Sequence, residues 1–178
     1  ASVVLVVDTS GSMRASDVKP TRLAAAKSAM RAFLDHAPSS LRIGIVSFSD
    51  EAQVVVPPTV DRKQLDQGIE VLGPGFGTAL GDGLARAVEL ARAAAGSGEG
   101  GNASTAPLKD AKGRSLASIL LLSDGAQTRG LLSPGQGAAR AQTAGIPVYT
   151  VALGTDGGTI LAGPPGQVLN WVDTVLPS

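Results

Sequence analysis

The sequence predicts an α/β fold, a mainly parallel sheet with helices on both faces and one antiparallel strand at an edge. Three observations predict it. Five apolar runs of strand length, rich in β-branched residues, recur along the 178 residues. Long stretches with apolar positions at three- and four-residue steps lie between them, as amphipathic helices require. Three of the five runs are almost continuously apolar, which fits strands covered on both sides. Alternation of strands and helices is the pattern of a doubly wound, Rossmann-like sheet.

The elements follow in order. "SVVLVVD" (2–8) is the first strand, and "TRLAAAKSAMRAFLDHA" (21–37) the first helix, with Leu23, Ala26, Met30, Phe33 and Leu34 on one stripe. "LRIGIVSFS" (41–49) and "AQVVVPP" (52–58) are close enough in sequence to form an antiparallel hairpin at an edge. Asp61 with Gln64 opens a short helix as a capping box. "TALGDGLARAVELARAAA" (78–95) is the second long amphipathic helix, with Leu80, Leu84, Ala87, Val88 and Ala91 in register. "LASILLLSD" (116–124) is the next strand. Ser133, Pro134 and Gln136 then start an alanine-rich helix that stops at Gly145, before the strand "IPVYTVALG" (146–154). Turn residues flanking two short extended runs in "TDGGTILAGPPGQVLN" predict a small hairpin.

Bulk properties narrow the function. A hydrophobic content of 43% supplies one sizeable core, so 1–178 reads as a single domain, with Gly- and Ser-rich 96–115 as a flexible surface loop. Fifteen basic residues balance fifteen acidic ones, which leaves no long-range field to gather nucleic acid or an anionic membrane. With no cysteine and one histidine, His36, thiolate zinc sites and thiol catalysis are excluded. The longest apolar run is far below the roughly 18–20 residues that span a bilayer, so no direct membrane insertion by this segment is expected. The start at Ala1, already inside a strand, suggests a segment of a longer protein. The compartment is not written in these residues.

The chemistry concentrates where strands end. Ligands of doubly wound sheets bind beyond the carboxyl ends of the strands, and Asp8 and Asp124 each close an apolar strand there. Ser10 and Ser12 follow Asp8 in the same loop, and Thr78 stands after a Gly-rich turn at the start of a helix. Two carboxylates and three hydroxyls form a hard oxygen set suited to Mg²⁺, with Mn²⁺ or Ca²⁺ as substitutes. The carboxylates are expected at a solvent-facing strand tip. Met13, Arg14 and Arg129 flank the set as candidate rim residues; solvated surface is the plainer reading of each.

"DTSGSM" (8–13), "GTALGDGL" (77–84) and "LLLSDGAQTRG" (120–130) resemble the three segments of a von Willebrand factor A domain of bacterial type, in the same order. The resemblance runs from residue 2 to about residue 160 and takes in "SFSDEAQ". It implies a metal-ion-dependent adhesion site whose metal ligands are Asp8, Ser10, Ser12, Thr78 and Asp124. Ser10, Ser12 and Thr78 would touch the metal directly, Asp8 and Asp124 largely through water, and a Glu or Asp carboxylate of a protein partner would complete the coordination. It also implies a final helix, yet "NWVDTVLPS" allows only a stub before Pro177, so that helix is expected to be truncated after residue 170.

A non-enzymatic, metal-dependent protein-binding module is therefore the leading expectation, because no nucleophile in the set has an adjacent base. A scaffold of a larger membrane or secreted protein, with a mainly structural metal, is the alternative. On either reading an extracytoplasmic or membrane-attached setting is favoured. A haloacid dehalogenase-like phosphotransferase would need a second aspartate where Ser10 stands. The Gly-rich turn lacks the Lys-Ser/Thr of a P-loop, and an EF-hand starting at Asp8 would need glutamate where Lys19 stands.

Overall fold

The computed structural model describes residues 1–95, 107–125 and 127–153, together with the backbone of two short strands at 161–162 and 167–168. Strands β1 (Ser2–Asp8), β2 (Arg42–Phe48), β3 (Ala52–Thr59), β4 (Ala117–Ser123), β5 (Val148–Ala152), β6 (Leu161–Ala162) and β7 (Gln167–Val168) form one sheet in the order β3-β2-β1-β4-β5-β6-β7. The β2–β1–β4–β5 centre is parallel, and β3 pairs antiparallel with β2 at one edge. The β6–β7 pair is the small hairpin that the turn residues predict, and it adds antiparallel pairing beyond β5.

Helices α1 (Arg22–His36), α2 (Arg62–Glu70), α3 (Leu80–Ala95) and α4 (Pro134–Thr143) cover the sheet. Side chains on a strand alternate between faces, so β1 feeds two cores at once. Val4 and Val6 pack with Phe48, Leu84, Val88 and Ile119 under α3 and α4. Leu5 and Val7 pack with Met30, Ile45, Leu65 and Ile69 under α1 and α2. This two-sided burial is why β1 is apolar at nearly every position. At Asp8 the alternation brings a carboxylate to the α3 side.

Local signals set the helix starts. Ser133 and Gln136 form a reciprocal capping box, whereas Asp61 caps α2 one way, accepting from the Lys63 and Gln64 amides. His36 Nδ1 lies 2.7 Å from the Ala32 carbonyl in the last turn of α1, where a polar ring complements the exposed carbonyls. Of the loop expected at 96–115, residues 96–106 lie outside the described set. The remainder is a bridged turn: Lys109 pairs with Ser115, Asp110 accepts the Lys112 and Arg114 amides, and Leu108 packs against the core. One apolar residue anchoring a polar turn is a weak signal in sequence. The expected final helix also lies outside the described residues. Among those described, no helix is long and apolar enough to cross a membrane.

Candidate metal centre

The sheet order reverses between β1 and β4, and both strands end at the same rim. Asp8 Oδ1 accepts the Ser10 amide at 2.8 Å, which folds the chain back as soon as the strand ends. Asp8 Oδ2 accepts the Ser123 hydroxyl at 2.7 Å, locking the end of β1 to the end of β4. A short 3-10 turn, Gly11–Arg14, follows, with Met13 buried beneath it. Met13 is thus core rather than rim.

This turn presents two hydroxyls. Ser10 Oγ and Ser12 Oγ lie 2.9 Å apart, and Ser12 donates to Asp124 Oδ1 at 2.9 Å. Asp8, Ser10, Ser12 and Asp124 are therefore linked side by side, as the sequence predicts. Thr78 is buried and joins through its backbone: its carbonyl accepts the Thr128 and Arg129 amides of the loop after β4. Its hydroxyl makes no hydrogen bond to the other four side chains among the described residues. Gly77 immediately precedes it with φ 67°, a left-handed conformation that a side chain would strain. The Gly75 amide donates to the Thr9 carbonyl, so the Gly-rich loop and the first loop are stitched together.

The third loop hangs on α3. Asp82 accepts the Leu131 and Leu132 amides at 2.8 and 2.9 Å, while Gln127 accepts the Gly81 amide and donates to the Leu132 carbonyl. A side chain at Gly81 would collide with the Leu132 carbonyl oxygen, so glycine permits this approach.

Electrostatically the two carboxylates differ. Asp8 is fully buried rather than at a solvent-facing tip, because the loops after β1 and β4 close over it. Burial pushes its carboxyl above the usual range, against hydrogen bonds from Ser10 and Ser123, and the nearby Asp124 charge pushes the same way. Asp124, whose side chain is 4% exposed, has a cation beside it: Arg22 Nη1 donates to its Oδ2 at 2.8 Å. Arg22 also grips Asp17 through Nε and Nη2, at 2.8 and 2.7 Å, which holds the Asp17 carboxyl at about 2. The sequence reading misses Arg22, Asp17 and Ser123. Ser123 was detectable as a polar residue ending an apolar strand. The two ion pairs have no helical spacing to betray them.

The donors fit a hard divalent cation. All are oxygens; among the described residues no three His, Cys, Asp or Glu side chains cluster for a metal. Asp8, a buried carboxylate with no salt bridge among the described residues, is a group that such an ion would relieve. At the mouth, exposed Arg14 stands over the exposed Phe76 ring at 6.0 Å, and Arg129 Nε lies 3.5 Å from Asp50.

A family model for the von Willebrand factor type A domain matches residues 3–127. The chain is 40% identical over 165 residues to a UPF0353 protein of Mycolicibacterium paratuberculosis, covering 90% of this chain and 46% of that protein. It spans about half the length of the curated relatives it matches. Among solved structures, an aerotolerance-related membrane protein from Bacteroides fragilis superposes with TM-score 0.68 at 23% identity, over 94% of this chain and 74% of that one. A von Willebrand factor type A protein from Catenulispora acidiphila gives 0.61 at 23% identity, over 84% and 32%. Proximal thread matrix protein 1 of the mussel byssus, with a zinc-occupied MIDAS motif (the metal-ion-dependent adhesion site), gives 0.58 at 20%, over 85% and 35%. At these identities the superpositions show the shared fold.

Proposed function

This chain belongs to the von Willebrand factor type A domain family, and from that premise we propose that it is a divalent-metal-dependent protein-binding module. Asp8, Ser10, Ser12, Thr78 and Asp124 are the residues that hold the ion, Mg²⁺ in the first instance. The observation that carries this reading is the linked set of Asp8, Ser10, Ser12 and Asp124. It supplies two negative charges and two neutral oxygens at one rim of the sheet. A bound divalent ion would act as a Lewis acid for a Glu or Asp carboxylate of a partner protein. The zinc in the mussel protein's MIDAS motif shows that a protein sharing this fold holds a divalent metal, which supports the reading.

The reading is non-enzymatic. Asp8 as a phosphoryl acceptor would need an acid or base where Ser10 stands, and among the described residues the Ser10 and Ser12 hydroxyls bond to each other and to Asp124, with no histidine or lysine as a base. The chain covers about half the length of its curated relatives, and the solved neighbour from Bacteroides fragilis is a membrane protein. Both support a domain carried by a larger, membrane-attached protein. Calorimetry with Mg²⁺ and Mn²⁺, followed by partner capture with and without chelator, tests the proposal. One ion per chain and chelator-sensitive capture are expected. A wild-type protein that binds neither ion overturns it, and capture indifferent to chelator returns the domain to a scaffold with a structural metal.

A further inference from the structure

Arg22 is the largest charged group at the candidate centre that the metal reading leaves unused. It is the first residue of α1, its amide donates to the Ala15 carbonyl, and its side chain is 21% exposed. All three of its bonding nitrogens are spent on carboxylates: Nε and Nη2 on the two oxygens of Asp17, Nη1 on Asp124 Oδ2. We propose that Arg22, anchored by Asp17, is the positioning residue of Asp124 and sets the metal affinity of the centre. The inference rests on the metal-centre reading above.

The geometry gives the reason. Asp124 has two oxygens with different neighbours, Oδ1 toward Ser12 and Oδ2 toward Arg22. Holding Oδ2 fixes the rotation of the carboxylate and keeps Oδ1 on the side of the serine hydroxyls. Bonded through both oxygens, the carboxylate is held in one orientation. An arginine near a divalent ion would ordinarily repel it. Here the two-point grip of Asp17 cancels the guanidinium charge, so the tie orients Asp124 with little opposing field. Lysine could not replace it, since a point donor cannot hold two carboxylates in one plane. The tie also links the metal rim to the N-terminus of α1, which carries Leu23, Ala26 and Met30 into the core.

The test separates charge from orientation. The double variant D17N/R22Q removes the tie without changing net charge, and R22K keeps the charge while removing the fork. Mn²⁺ affinity is measured by calorimetry for wild type, D8N, D17N, R22K and D17N/R22Q, with thermal melting in EDTA alongside. We expect D17N/R22Q and R22K each to bind Mn²⁺ at least about 10-fold more weakly than wild type, the scale of losing an orienting partner. Melting should stay cooperative, and D17N should fall between. Wild-type affinity in R22K or D17N/R22Q overturns the proposal, as does tighter binding in the double variant. If the double variant fails to fold, R22K and D17N still decide the point. Wild type and D8N report on the centre itself: if wild type binds no Mn²⁺, the metal reading falls and the role of Arg22 with it. If wild type binds, D8N does not, and R22K equals wild type, only this inference fails.

Discussion

Ser12 and Asp124 are separated by 112 positions in the chain, yet the Ser12 hydroxyl donates to Asp124 Oδ1 at 2.9 Å. This one bond joins the loop after β1 to the loop after β4. Parallel pairing of β1 with β4 makes it possible, since that register ends both strands at the same level. A ligand set contributed by separate loops is then pre-arranged by the sheet rather than by any loop alone. Changes to the site residues should therefore alter ion binding more than they alter folding.

Asp8→Ala and Asp124→Ala should each weaken Mg²⁺ binding by at least about 10- to 100-fold. They should differ in stability. Asp8→Ala strands the Ser10 amide and the Ser123 hydroxyl in a buried place and should cost about 1–3 kcal/mol. Calorimetry with chemical denaturation checks both numbers, and equal Mg²⁺ binding by wild type and both variants refutes the assignment.

Asp8→Asn should uncouple stability from ion binding. In metal-free buffer the folded state disfavours ionised Asp8, because its carboxyl sits above the ordinary 3.8. Well below pH 3.8 the residue is protonated whether folded or unfolded, and it imposes no penalty. As pH rises, the unfolded chain ionises first and stability is lost until the folded carboxyl has also ionised. A neutral amide in its place would carry no such penalty, so D8N should melt at or above the wild-type temperature at pH 7 and converge with wild type only as the pH falls well below 3.8. A gap that does not change with pH sinks this account.

The strands and the carboxylates that close two of them were legible because each leaves a one-dimensional mark. Val4 to Val7 are buried on the two faces of the sheet and hence continuously apolar, and Asp8 and Asp124 interrupt such runs at their ends. Burial of Asp8 was not legible, since it depends on loops from two distant parts of the chain closing over one carboxylate. Nor was the Arg22 tie. Arg22 and Asp124 are 102 positions apart, and Arg22 and Asp17 span a loop rather than a helical turn. The one-way cap at Asp61 shows a smaller gap: the motif reveals that Gln64 follows, not that its side chain turns elsewhere.

Asp82→Ala should loosen the third loop without unfolding the domain. Two backbone amides, Leu131 and Leu132, would lose a charged acceptor, at a cost of about 1–3 kcal/mol. Much of that should appear as local opening. Arg129 lies in this loop with its side chain 69% exposed, so tryptic cleavage after it reports the opening directly. Cleavage should speed up well before global melting, and an unchanged digestion rate removes Asp82 from its anchoring role.

The mouth of the centre supplies the last prediction. Phe76 is 73% exposed, unusual for so apolar a side chain, and Arg14 stacks on it with no carboxylate partner among the described residues. Both sit in loops that also carry ligands, Phe76 two residues before Thr78 and Arg14 two after Ser12. A partner whose carboxylate reaches the ion would bury Phe76 and approach Arg14. Burying a phenylalanine is worth about 1.5–3 kcal/mol, so Phe76→Ala should weaken partner capture roughly 10-fold or more. Arg14→Glu should slow association and lessen its dependence on salt. Neither change touches an ion ligand, so Mg²⁺ affinity should stay within about twofold of wild type. Surface plasmon resonance with the captured partner, in Mg²⁺ and in EDTA, separates these effects; full capture by both variants would mean that the partner does not dock over Phe76 and Arg14.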